Sequence, residues 1–114
     1  MSSARRSVRK RAGESILVTD AMTGKTIGRI GNLSVDGMML ITAQPIAEGC
    51  LYQLQFLLPD AERLQRRLEI GIQCLWSEAA RTEHTHWAGC RIIDIAPAEQ
   101  FILDGWVERA AEVV

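Results

Sequence analysis

No apolar run in this chain approaches the roughly 18 residues that a membrane-spanning helix requires, so its most apolar stretch, CLYQLQFLLP over 50–59, reads as a buried strand. No membrane insertion is expected. An apolar h-region is missing behind the basic N-terminus, because AGESILVTDAMTG soon turns polar, which argues against a secretory signal and for a cytoplasmic protein. Cysteine is sparse and odd in number: Cys50, Cys74 and Cys90 lie within apolar stretches, which suits reduced core thiols better than a disulfide framework. The chain also lacks a nucleophile elbow, a phosphate-cradling P-loop and a CxxC motif, and no spacing of its His, Ser and Asp residues assembles a triad. Neither an enzyme nor a resident cofactor is expected. His84 and His86 would project to one side of an extended strand, but without a third convergent ligand they read as a solvated loop and not as a metal site. Internal repeats and low-complexity segments are absent as well.

What is there suits one compact domain. The 114 residues are 47% hydrophobic and 24% charged, enough for a single sizeable core but cramped for two. Charge is unevenly placed. Arg5, Arg6, Arg9, Lys10 and Arg11 are five of the 13 basic residues, leaving eight against 14 acidic ones, so an acidic body follows a basic arm over residues 1–12. A nucleic-acid footprint would normally spread over the folded face, so DNA or RNA is not the expected partner; a small anion fits better.

The middle of the chain reads as strands. SILVTDAMTGKTIGRI carries β-prone runs on both sides of a hairpin turn at DAMTGK, and GMMLIT follows as a third strand. In LYQLQFLL, Tyr52, Leu54, Phe56 and Leu58 alternate with glutamines, and Pro59 ends the run. PDAERLQRR reads as a polar connection with room for one helical turn. In LEIGIQCLW, Leu68, Ile70, Ile72, Cys74 and Trp76 share one face, which predicts that Trp76 packs in the core. SEAARTEHT is a turn-rich link and HWAGCRIIDI a last long strand. Six or seven short antiparallel strands predict a small barrel or sandwich. From Pro97 the period changes: Ile102, Leu103, Trp106, Val107 and Ala110 fall at helix-face spacing, predicting a C-terminal helix that caps the barrel over the domain 13–114.

GNLSVDGMML lies where the second strand turns into the third. Asn32 and Ser34, two residues apart, are expected on one face, with Gly37 where a tight turn has no room for a Cβ. A carboxamide, a hydroxyl and an accessible backbone either read the edge of a base or merely make turn hydrogen bonds; both readings stand at this point.

Arg5-Arg6-Ser7-Val8-Arg9 matches the RxxxR signature, and Asn32-Leu33-Ser34-Val35-Asp36-Gly37 the [D/N]xSxxG signature, of PilZ domains, bacterial receptors for cyclic di-GMP. The resemblance covers nearly the whole chain. It implies a mainly β fold, a six- to seven-stranded antiparallel PilZ-like barrel with a flexible N-terminal arm and a C-terminal α-helix. It also implies that Arg5 and Arg9 bind phosphate and guanine, that Arg6 adds a phosphate contact, and that Asn32, Ser34 and Gly37 form the barrel-side cradle. Trp76 falls where some members stack an aromatic on a base. Asn32 replaces the commoner aspartate, which leaves one acceptor oxygen in place of two, and Asp36 falls at a variable position. Arginine suits such a ligand because its planar fork pairs with a phosphate or with guanine O6 and N7 and stacks on a purine. Lys10 and Arg11 would add electrostatic support that salt weakens. The resemblance further implies one or two cyclic di-GMP molecules per chain and an unidentified downstream protein. The alternative within the same fold is an adaptor of pilus or flagellar machinery with little nucleotide affinity.

Overall fold

The computed structural model describes residues 10, 11 and 15–113, with side chains over 15–109. Seven antiparallel strands precede one helix: β1 (Lys10–Arg11), β2 (Leu17–Asp20), β3 (Thr26–Leu33), β4 (Gly37–Thr42), β5 (Leu51–Pro59), β6 (Gln65–Ala79), β7 (His86–Asp94) and α1 (Pro97–Val113). The sheet order is β1-β3-β2-β5-β6-β7-β4, and an additional β3–β4 pairing closes six of the strands into a barrel with β1 on its edge. Closure removes the exposed edges that an open sheet would present.

Alternation in the sequence builds the interior. Leu54, Phe56 and Leu58 of β5, Leu68, Ile70, Ile72 and Cys74 of β6, and Met38 and Leu40 of β4 are buried, while Tyr52 packs partly against them. Each fully buried aliphatic side chain contributes on the order of 1.5–3 kcal/mol. One end is closed by α1, which starts at Pro97 and buries Leu103, Trp106 and Val107, with Ile102 partly covered. Two polar contacts fix its tilt. The Glu69 amide donates to Glu99 Oε1 at 2.8 Å near the start of the helix, and Arg109 Nη2 donates to the Pro59 carbonyl at 2.9 Å near its end.

The β2–β3 hairpin has the expected turn chemistry: Asp20 Oδ1 accepts from the Met22 amide, and Gly24 takes a left-handed φ of 77°. The next polar connection differs from expectation. Residues 60–64 form a tight turn with Arg63 at φ 69°, and Gln65–Arg67 extend β6 opposite Leu57–Pro59 where a helical turn had room. The reason lies in Asp60, whose Oδ1 accepts from the Glu62 and Leu64 amides while Oδ2 pairs with Arg66 Nε at 2.8 Å. The same contacts hold the Asp60 carboxyl below its ordinary value, the Arg66 hydrogen bond first among them.

The cysteines divide. Cys74 and Cys90 face each other in the core, whereas Cys50 is exposed, because it ends a rim turn and β5 begins only at Leu51. Burial pushes the Cys90 thiol up to about 12 and the Cys74 thiol in the same direction.

Candidate functional site

The register of four strands lays the motif residues on the outer wall of the barrel. Gly28–Leu33 of β3 pairs with Met38–Thr42 of β4, but Ile30 faces Leu40 and Asn32 faces Met39, so Gly31 is an extra residue bulged out of the ladder. Met38 and Leu40 point inward, which turns Met39 and its partner Asn32 outward. On the other side of β4, Met39 faces Gly89 of β7, and Gly89 in turn faces Trp76 of β6. One transverse row therefore reads Asn32, Met39, Gly89, Trp76. A neighbouring row reads Gly37, Arg91, Gln73.

The basic segment reaches the same row. Lys10 is paired with Leu33 and Arg11 with Asn32, so the end of that segment runs antiparallel along the outer edge of β3. Arg5, Arg6 and Arg9 lie outside the described residues, as does the rest of the arm over 1–9. In sequence, Arg9 is one residue from the Lys10 that faces Leu33.

Ser34 does not face outward with Asn32. It is fully buried, because β3 ends at Leu33 and the chain turns there. Its amide donates to the Gly37 carbonyl at 2.9 Å, and its hydroxyl oxygen accepts from the Gly37 amide at 3.1 Å. The hydroxyl proton has two acceptors, Asp36 Oδ1 at 2.9 Å and the Gly37 carbonyl at 3.1 Å. The Asp36 carbonyl accepts from the Ile92 amide at 2.9 Å and so ties the turn to β7. Gly37 itself opens β4 opposite Arg91, buried and outside the left-handed region; it does not sit within the turn. Ser34 is thus the clasp of the turn that holds the Asn32 end of β3 against β4.

Trp76 is a correction. The inward series of β6 stops at Cys74, since Cys74 faces Cys90 and Trp76 faces Gly89, leaving Leu75 as a bulged extra residue. The bulge breaks the period of two, so both Leu75 (53% exposed) and Trp76 (40% exposed) lie on the outer wall. The indole rests on Gly89, where an added Cβ would fall on its Nε1, Cε2 and Cζ2 atoms. An aromatic resting on a glycine in line with Asn32 is suited to meet a planar ligand. A concavity of about 720 Å³ lies on the far side of the barrel, bordered by Leu17, Thr19, Gln55, Leu57, Arg67 and Trp106, and includes none of these residues.

No protein-family model matches the chain, and no curated protein matches it in sequence. Solved structures do match. The structure of the Bacillus subtilis inhibitor of motility (MotI/DgrA) superposes with a TM-score of 0.79 at 18% identity, over 97% of this chain and 53% of that one. The PilZ domain of YcgR from Escherichia coli, solved with c-di-GMP, gives 0.72 at 16% identity over 97% of this chain and 94% of that one. The chain has a PilZ-like fold. The structure of YcgR from Escherichia coli in complex with c-di-GMP also matches, with a TM-score of 0.72 and 21% identity over 96% of this chain and 48% of that one. The chain spans about half the length of MotI/DgrA and of that YcgR chain.

Within this PilZ-like barrel, two residues that sequence reasoning passed over share the wall with the motif. Arg91 is exposed and opposite Gly37, and its Nε donates to Gln73 Oε1 at 3.0 Å. Its outward direction was legible, because it alternates with the buried Cys90. Its proximity to Gly37 was not, because that depends on the β4–β7 register. His84 takes a left-handed turn, φ 60°, and only His86 enters β7, so the two do not share an extended segment.

Proposed function

We propose that the PilZ-like barrel is a non-catalytic cytoplasmic receptor for cyclic di-GMP, with the basic segment and the outer wall as the two halves of its site. The observation that carries this reading is the register of β1 on β3, which brings the end of the basic segment alongside Asn32 and the Ser34 clasp. Support comes from the fold shared with a PilZ domain solved with c-di-GMP. Two phosphates and two guanines need fixed positive charge and base-edge partners. Arg5 and Arg9, with Arg6 in support, supply the first, and the Asn32 amide supplies the second. Gly37 adds no side chain to the wall, Ser34 holds the turn in place, and Trp76 offers a ring for one base to stack on. Binding draws the basic arm onto the barrel and changes the surface presented to a downstream protein, an ordering switch in which ligand energy offsets the entropy of the arm.

Isothermal titration with cyclic di-GMP tests the reading, using the unmodified protein beside Arg9→Ala and Asn32→Ala. Each variant should lose at least about tenfold in affinity, the scale of one charged or bidentate contact. Equal affinity in all three removes the site. A second reading, a protein-contact adaptor with little nucleotide affinity, draws on one observation: the Ser34 hydroxyl is buried and engaged within its own turn. Absence of heat from the unmodified protein would favour it.

A further inference from the structure

We infer that Arg91, outside both motifs, is a barrel-fixed phosphate-binding residue of the same site, held in position by Gln73. The inference rests on the cyclic di-GMP reading and adds to it a cation that does not belong to the arm.

Three observations converge. Arg91 projects from the outer wall, since its neighbour Cys90 is buried, and its cross-strand partner on β4 is Gly37, which has no side chain to stand between the guanidinium and the turn. Along β7 it lies two residues from Gly89, about 7 Å, so it flanks the row that carries Trp76 and Asn32. Its fork is also partly committed in a way that orients the remainder. Nε donates to Gln73 Oε1 at 3.0 Å, while Gln73 Nε2 donates to the Gly49 carbonyl at 3.4 Å, which sets which end of the amide faces the arginine. Among the described residues no acceptor takes a hydrogen bond from either Nη group, and Arg91 makes no ion pair.

A guanidinium with Nε satisfied and both Nη groups exposed presents two donors in one plane, the geometry that two oxygens of a phosphate accept. The wall position supplies the rest. A ligand with one base over Trp76 and its edge toward Asn32 would extend its sugar–phosphate ring along the strands toward Gly37 and Arg91. Arg91 is already held on a strand, so little of its backbone freedom is lost on binding.

The test is isothermal titration with cyclic di-GMP on the full chain, comparing the unmodified protein with Arg91→Ala, Arg91→Lys, Gln73→Ala and Arg9→Ala at two salt concentrations, with melting temperatures as a folding control. Arg91→Ala should weaken binding about 10- to 100-fold and flatten the salt dependence. Arg91→Lys should recover part of the loss, since it restores charge without the fork. Gln73→Ala should weaken binding less, about three- to tenfold, through loss of orientation. Affinity of Arg91→Ala within twofold of the unmodified protein, while Arg9→Ala loses binding, overturns the role of Arg91 and leaves the receptor reading intact. No binding by the unmodified protein overturns both.

Discussion

Replacing Gly89 by alanine tests the outward placement of Trp76 directly. The new Cβ would overlap the indole at Nε1 and Cε2 and lie 2.8 Å from Cζ2, so the ring must withdraw by on the order of 1 Å or more. Trp76 is 40% exposed, which leaves roughly 150 Å² of its surface covered and worth at most about 4 kcal/mol. Lifting the ring off Gly89 forfeits a part of this, and the expected cost is about 1–2 kcal/mol by urea unfolding. A double-mutant cycle isolates the cause. In a Trp76→Ala background nothing remains for the methyl to strike, and a strand residue gains by replacing glycine, so Gly89→Ala should become neutral or stabilising by up to about 1 kcal/mol. The Trp76 indole N–H resonance should move in the single variant, and cyclic di-GMP affinity should fall about five- to tenfold if a base stacks on that ring. Equal destabilisation by Gly89→Ala in both backgrounds would refute the packing of Trp76 over Gly89.

Four further outcomes follow from the structure. Ser34→Ala leaves the buried Gly37 amide without its acceptor and should cost about 1–3 kcal/mol in thermal or urea unfolding, so its effect on ligand affinity must be read only after stability is matched. In Gly28→Ala the added Cβ meets the Ile41 carbonyl oxygen and comes within 2.9 Å of the Thr42 Cα, both backbone; β3 and β4 must part, and a loss of about 3 kcal/mol or more in unfolding free energy is expected. A maleimide at pH 8 should label Cys50 alone in the folded protein, because burial raises the Cys74 and Cys90 thiols. The stability that Cys90 contributes as a neutral thiol is fully present below its unfolded value near 9. It declines as pH rises from there toward about 12, with a slope of up to about 1.4 kcal/mol per pH unit that Cys90→Ala should abolish.

Local pattern reached far into this protein. Alternation in LYQLQFLL and LEIGIQC assigned the inward faces of β5 and β6 down to Cys74, the turn residues at DAMTG placed the first hairpin, and the change of period at Pro97 marked the helix. These signals are legible because a strand or helix exposes its period residue by residue. The RxxxR and [D/N]xSxxG strings were visible for the same reason, being contiguous. Three decisions belonged to the tertiary structure alone. The bulge at Leu75 turned Trp76 outward, because an extra residue in one strand is defined only against its partner. Asp60 folded residues 60–64 into a turn and gave Gln65–Arg67 to β6, since its carboxylate caps amides and pairs with Arg66 only once the hairpin closes. The β4–β7 register set Arg91 against Gly37 across more than fifty residues of chain, and no local pattern encodes a register between strands that distant, because it is the packed core that selects it.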